Sequence, residues 1–386
     1  MGKRLLLLLP TRTYKAKDFL DAARTLGADV IAASEEPSAL EESAPDGLIS
    51  FDFNNPQEAF QHGPFDAVVG VDDGSVRAAA VISAGLGLAT NSPEAIDASR
   101  NKRLMREALK KAGVRTPAFA AASNTSPLPF PCVLKPESLS ASRGVLRADN
   151  EEQYKEALKR IRAMPDVDEI LVESYLPGKE VALEGLLSKG KLRTLALFDK
   201  PETPEGPTFP ETIFVTPSAL DEQTQEKIRD QAEKAAAALG LAEGPVHAEL
   251  RVAPQGPTIL ELAARTIGGL CGRALTFGAG VSLEEIVLRH ALGMDAALFE
   301  RETQAAGACM INPGKTGILA GVEGTEAALA VDGIQEVIFP NRGDRPLEPL
   351  PEGGVYAGFI FAKGETPDAV VSSLKEARSL ITLNYR

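Results

Sequence analysis

Cysteine and histidine are scarce in this 386-residue chain, with three of each. Cys132, Cys271 and Cys309 are far apart, odd in number and without CxxC spacing. That argues against a disulfide framework and for reduced, buried thiols in a cytoplasmic protein. His62, His247 and His290 are equally scattered, which removes a zinc centre from consideration. Positive charge is also short: 41 Lys and Arg stand against 54 Asp and Glu, a net −13. No Lys/Arg stripe offsets it, so nucleic acid is not an expected partner. Long apolar runs are missing, so neither is a membrane. The five leucines at Leu5–Leu9 mimic a signal peptide, but Pro10, Arg12, Lys15 and Lys17 cut the run short. Leu6 stands where a myristoylation motif needs Ser or Thr. No GxGxxG follows the first strand signal, and there is no internal repeat.

What is present is ordinary globular material, 44% hydrophobic and 25% charged, enough for two or three domains. Up to about residue 95, strand signals (Leu5–Leu9, Val30–Ala33, Gly47–Phe51, Ala67–Val71) alternate with helix signals (Asp18–Leu26, Val76–Ala84). That alternation implies a parallel sheet with right-handed crossovers. Asp72 and Asp73 end its last strand, where such sheets place ligands, although a loop cap explains such a pair as well. Ser92 followed by Pro93 opens a helix expected to run to Ala112. Further strands are expected at Cys132–Lys135, Glu169–Glu173, Glu180–Leu187 and Arg193–Phe198, with helices at Glu151–Ala163 and Glu222–Leu239. Lys200 to Pro217 holds five prolines and no period, and reads as a functional loop. From about Ala296, short apolar segments (Thr316–Val322, Ile334–Phe339, Tyr356–Lys363) and a helix near Pro367–Arg378 suggest a small α+β unit.

The most informative stretch is Pro245 to Arg265. Val246, Ala248, Leu250 and Val252 alternate with His247, Glu249 and Arg251, the period of a half-buried strand. Pro254-Gln-Gly-Pro257 is turn chemistry, and Thr258 to Ala263 is the return strand. A turn centred on Gln255 sets Glu249 opposite Glu261. Like charges directly opposite destabilise a strand pair. Either a hard divalent cation such as Mg²⁺ or Mn²⁺ lies between them, or both sit on a solvated face.

Other pieces carry chemistry of their own. Lys135 ends a buried strand, and the small-residue loop from Glu137 to Val145 follows it, suited to close approach of backbone to a polyphosphate. Ile170-Leu-Val-Glu173 ends a second buried strand in an acid, with Glu180 beyond the turn. In this order, Asn101-Lys102, Val133-Leu-Lys135-Pro, Leu139-Ser-Ala-Ser-Arg-Gly-Val145, Val172-Glu-Ser-Tyr-Leu176 with Glu180, His247-Ala-Glu249 and Glu261-Leu-Ala-Ala-Arg265 resemble the ATP-grasp superfamily. Arg265-Thr-Ile-Gly-Gly269, the Leu-Ser-x-Ser-Arg-Gly-Val loop and Gly206 to Pro217 resemble its L-amino acid ligase branch.

The resemblance implies an α/β and α+β architecture. A Rossmann-like domain would span 1–95, an ATP-grasp domain 96–295 with a nucleotide lid at about 117–175, and an α+β domain 296–386. It implies ATP and Mg²⁺ or Mn²⁺ as cofactors, and carboxylate and amine substrates, amino acids among them. A homodimer is a further implication. Lys102 and Lys135 would meet the nucleotide, and the loop carrying Ser140, Ser142, Arg143 and Gly144 would close over the triphosphate. Glu173 with the backbone of Tyr175 and Leu176 would hold adenine, and Glu180 the ribose. Glu249 and Glu261 would chelate the metal. Arg265 would stabilise the reacting oxyanion. On the substrate side, Glu211 would hold an amino group, Gly268 and Gly269 would offer backbone N–H to a carboxylate, and His247 would support the site. Ala263 departs from the pattern, standing where many relatives carry a metal-binding Asn, and Ala141 replaces a common glycine in the phosphate loop. The implied reaction is amide formation through an acyl phosphate, with ADP and phosphate released. The alternatives are another ATP-grasp chemistry, such as a carboxylase or nucleotide-precursor ligase, and a non-catalytic ATP-binding sensor.

Overall fold

The computed structural model describes residues 2–36, 47–340 and 345–386. The leucine run forms the strand Arg4–Leu8, with Leu5 to Leu8 wholly buried. It pairs in parallel with Asp29–Ser34 on one side and Ala67–Gly70 on the other, and Leu48–Ser50 completes a four-stranded parallel sheet. Two-faced burial explains why the run is apolar throughout rather than alternating. The helix Ala16–Thr25 supplies the first crossover and the 3-10 helix Pro56–His62 lies on the connection into Ala67–Gly70, while Val76–Gly85 follows that last strand. The ends of the first and last sheet strands therefore open on the same edge, and both loops there reach the site described below.

The expected helix from Pro93 to Ala112 is two helices, Pro93–Arg100 and Lys102–Lys111. Asn101 breaks it with an extended backbone (φ −106°, ψ 115°), and its side chain accepts from Leu104 N at 2.9 Å to cap the second helix. Asn competes with the helix by bonding nearby backbone, which is why it caps better than it continues. The break leaves Lys102 in the first turn of a helix whose start is fixed.

Residues 119–174 form a four-stranded antiparallel sheet, in the order Phe119–Ala121, Ile170–Ser174, Cys132–Pro136, Leu146–Ala148. The helix Glu151–Arg162 covers it with Tyr154, Ala157, Leu158 and Ile161.

An eight-stranded antiparallel sheet is the largest element of the remainder. Its order is Gly256–Ala263, Gly244–Ala253, Lys179–Ser188, Lys191–Lys200, Ile213–Thr216, Ala305–Ile311, Gly358–Gly364, Ile334–Ile338. Two of the three apolar segments expected in a separate C-terminal unit thus continue this sheet, and Gly317–Glu323 pairs instead with Thr382–Tyr385 and Pro346–Leu347. The stretch from Lys200 to Pro217 is not structureless throughout. Ile213–Thr216 is a wholly buried strand that bridges Lys191–Lys200 to Ala305–Ile311. The helix Glu222–Leu239 packs Ile228, Ala232, Ala235, Ala236 and Leu239 on one face of the sheet. At about 1.5–3 kcal/mol for each fully buried Leu or Ile, this contact outweighs any single polar interaction nearby.

The hairpin places Glu249 opposite Glu261, as expected, but by a different route. Ala253 pairs with Gly256, so the turn is the two residues Pro254-Gln255 and not one centred on Gln255. In that register Glu249 would face Leu260. A bulge between Glu249 and Leu250, where the partner register skips Leu260, restores the pairing of the two glutamates.

Candidate active site

A cleft of about 700 Å³ lies between the antiparallel sheet of 119–174 and the hairpin. It opens on a larger chamber of about 1150 Å³ that reaches the parallel sheet. Ser140, Ser142, Glu211, Glu249 and Glu261 border both. The cleft gathers Lys102, Lys135, Glu173, Tyr175, Leu176 and Glu180, with Val133, Val145 and Leu260 as apolar wall. The chamber gathers His247, Arg265, Gly268 and Gly269. Arg143 and Gly144 border neither; they turn towards the C-terminal segment, where Gly144 N donates to Pro351 O at 2.8 Å.

The cleft's charges are held in a network. Glu173 is 2% exposed, and its two carboxylate oxygens pair with Arg106 and Lys135, each at 2.7 Å. Burial alone would raise its pKa, but these two cations win and hold it down at about 2. Its carboxylate is therefore committed to orienting Lys135, which differs from the implied direct hold on adenine. Lys102 is likewise buried, with its ammonium donating to Leu139 O at the start of the lid loop. Burial, opposed by Glu261, lowers its pKa.

At the junction, Glu180, Glu211 and Glu249 offer carboxylate oxygens within 4.8 Å of one another; Glu261 is not in this trio. Lys200, which the sequence reading passed over, stands among the three. It pairs with Glu180, lies 2.7 Å from Glu211, and is 3.7 Å from Glu249. Burial works against its charge, but the three carboxylates hold its pKa well above the usual lysine value. Glu180 has a second cation in Arg251, and Glu249 has one in His247. Glu211 keeps a pKa raised by burial and by Glu249 and Glu180 even though Lys200 pulls the other way. Glu180 also accepts from Arg251 Nε at 3.1 Å, and Arg251 reaches Leu176 O at 2.7 Å, bracing the cleft wall.

His247 lies between two acids, its Nδ1 2.5 Å from Glu184 and its Nε2 3.3 Å from Glu249. Burial would lower its pKa, but Glu184 and Glu249 raise it to about 9, so the ring is an imidazolium at neutral pH. Both nitrogens are engaged, which fits a supporting group. Glu249 is held low despite burial by Lys200, His247 and Arg265. Glu261 in turn attracts Lys102 and Arg265. Cations of the protein thus already offset the facing pair, which weakens the inference from repulsion alone.

Arg265 Nε pairs with Asp73 Oδ2 at 2.9 Å, and its guanidinium also donates to Thr266 O at 2.9 Å. Asp73 belongs to the parallel sheet's edge, so the strand-end acids do reach the site. Asp72 also serves as the loop cap, accepting from Gly74 N at 3.1 Å. Lys15, from the loop after the first strand, ties Val71 O to Thr266 Oγ1 and O. Burial and the neighbouring Arg265 lower its pKa to about 8. Cys271 is 2% exposed, and burial pushes its thiol above the usual range, as expected of an inert small apolar residue.

Sequence reading missed Lys200, Arg106, Arg251, Glu184 and Tyr14–Lys15. Lys200 had a usable signal, since it ends a buried strand as Lys135 does. Arg251 had one in sharing the alternation of His247 and Glu249. Arg106, Glu184 and Lys15 had none, because their partners lie 67, 63 and 251 positions away in sequence.

Comparison with known proteins agrees with this geometry. The ATP-grasp domain family matches residues 128–274, and the L-amino acid ligase C-terminal domain 2 matches 310–386. An uncharacterized protein, y4rH, of Sinorhizobium fredii is 24% identical over 94% of this chain and 79% of its own length. Alanine–anticapsin ligase of Bacillus subtilis is 29% identical over 47% of this chain, which spans only 44% of that enzyme. The crystal structure of L-amino acid ligase from Bacillus licheniformis superposes with a TM-score of 0.81, at 23% identity, over 100% of this chain and 99% of that one. No helix among the described residues is long and apolar enough to cross a membrane. Residues 128–274 are thus an ATP-grasp domain and residues 310–386 an L-amino acid ligase C-terminal domain, in a chain with the fold of the L-amino acid ligase structure.

Proposed function

We propose that this protein joins an amino acid to an amine by amide formation, spending ATP to ADP and phosphate through an acyl phosphate. The observation that carries the reading is the shared border. The two acids Glu249 and Glu261 separate a cleft walled by cations from a chamber that presents Arg265. Phosphoryl transfer needs the terminal phosphate and its acceptor to meet at such a border.

In this reading Lys102 and Lys135 face the phosphates, and Val133, Val145 and Leu260 pack on the base. Glu249 and Glu261 would hold Mg²⁺ or Mn²⁺: they present hard oxygen donors from facing strands at the border of cleft and chamber, with Lys200, His247, Lys102 and Arg265 offsetting part of their charge. When bound, the ion neutralises charge on the terminal phosphates. Glu211 would take the substrate ammonium. Arg265, fixed by Asp73, would face the oxyanion that forms as the amine attacks. Ser140 and Ser142 roof both spaces and keep water from the intermediate.

The test is an all-by-all amino-acid screen for phosphate release with ATP and Mg²⁺, followed by mass analysis. Amine-dependent release with an amide product supports the reading. Release that needs bicarbonate instead would make the protein a carboxylase. AMP as the stoichiometric product would overturn the reading.

A further inference from the structure

The lid is tied down by a stretch of chain with no part in the scheme above. Gly144 N donates to Pro351 O at 2.8 Å, and Arg143 Nε donates to Glu352 O at 3.1 Å. Arg160, on the lid helix Glu151–Arg162, grips the Glu352 carboxylate with two bonds of 2.6 and 3.0 Å. The Arg143 stem lies directly on Gly354, where a Cβ would stand 2.8 Å from its Cγ and Cδ. The same strap is held from the far side. Tyr356 N donates at 3.0 Å to the hydroxyl of Tyr14, on the loop that follows the first strand. Gly354, Tyr356 and Tyr14 all border the large chamber. Residues 351–356 therefore connect the lid, the chamber wall and the parallel sheet's edge.

We propose that Glu352 is a positioning residue: through Arg160 and the backbone of 351–354 it holds the lid shut, so that the activated carboxylate meets amine and not water. This rests on the ligase reading above. In the productive step the amine nitrogen bonds to the acyl carbon, the carbon–oxygen bond to phosphate breaks, and phosphate leaves as the nitrogen gives up a proton. In the wasteful step water takes the place of the amine, and the same bond breaks to give carboxylate and phosphate. An open lid favours the second. The Arg160–Glu352 pair is half-exposed, with side chains 50% and 41% accessible, so it biases closure rather than enforcing it.

The experiment measures ADP and amide in the same reaction for Glu352→Ala, Arg160→Ala and the exchange Arg160→Glu with Glu352→Arg. Wild type should form them in equal amounts. Each alanine variant should raise ADP per amide by about two- to fivefold, the shift a half-exposed bidentate pair supports. The exchange should return it towards wild type, which a purely structural role would not do. Equal ADP and amide in both alanine variants would overturn the strap and leave the ligase reading standing. No amide from wild type with any amino acid would overturn both.

Discussion

The Lys200 ammonium is shared by Glu211, at 2.7 Å, and by two further carboxylates, Glu180 and Glu249. It is the positive charge at the centre of the junction between cleft and chamber, and it is 5% exposed. Lys200→Met would leave the buried Glu180 and the half-buried Glu211 and Glu249 without the ammonium they share. A loss on the order of 3–5 kcal/mol is expected without divalent cation, the range for breaking a buried pair. Mg²⁺ should restore part of it, because an ion can take the ammonium's place. Thermal melts with and without Mg²⁺ check this; a variant as stable as wild type in EDTA would show that Lys200 does not balance the trio.

Glu173 sets an acid limit on stability. Its folded pKa of about 2 lies below the usual 4.5, so between these values the unfolded chain takes up a proton that the folded chain refuses. Stability from this group is complete above pH 4.5 and is lost as pH falls through about 2. The contribution is on the order of 3 kcal/mol at neutral pH. Glu173→Gln should be destabilised at pH 7, since Arg106 is left buried without its partner, and the gap to wild type should close towards pH 2. Urea melts across that range decide it.

The parallel sheet and the Glu222–Leu239 helix were legible because each rests on local pattern, buried runs and periodicity, whereas the residues that line the cleft were read from the ATP-grasp order of their motifs. The helix break at Asn101 was not, since a polar residue inside a helical period reads as surface until its cap bond is seen. The bulge at Leu260 was hidden for a similar reason. Turn length and bulge have compensating effects on register, so the right pairing of Glu249 with Glu261 followed from a wrong turn. The ion pairs of Glu173 and Lys200 were illegible because the compensating charge comes from distant strands and helices. That is also why the facing glutamates looked more repulsive than they are.

Glu261→Gln should abolish Mg²⁺-dependent turnover. Relief of repulsion with Glu249 is set against lost attraction to Lys102 and Arg265, so the metal-free variant should be no more stable than wild type. Turnover assays and melts in EDTA separate the two effects. Near-normal turnover would remove Glu261 from the metal.

Glu211→Ala should raise the amino-acid KM by about ten- to a hundredfold, the value of a charge-assisted contact of roughly 1.5–3 kcal/mol. Phe209 and Glu211 both border the cleft, and Glu211 shares Lys200 with Glu180. A smaller rise in the KM for ATP is therefore expected as well. Steady-state kinetics varying each substrate in turn resolves it, and an unchanged amino-acid KM would exclude Glu211 from substrate binding.

Asp73 offers the sharpest separation of positioning from binding. It lies outside the cleft, on the chamber wall, and it holds Arg265 Nε at 2.9 Å. Asp73→Asn preserves volume and a hydrogen-bond acceptor but removes the charge that fixes the guanidinium. The KM for ATP should stay unchanged, because no nucleotide contact is altered. The kcat should fall by about ten- to a hundredfold, since a displacement near 1 Å of a transition-state group costs on that scale. Arg265→Ala should lose more, and the double variant no more than Arg265→Ala alone, because Asp73 acts through the arginine. An additive loss in the double variant would mean that Asp73 works on the substrate directly, and would make it a binding group in its own right.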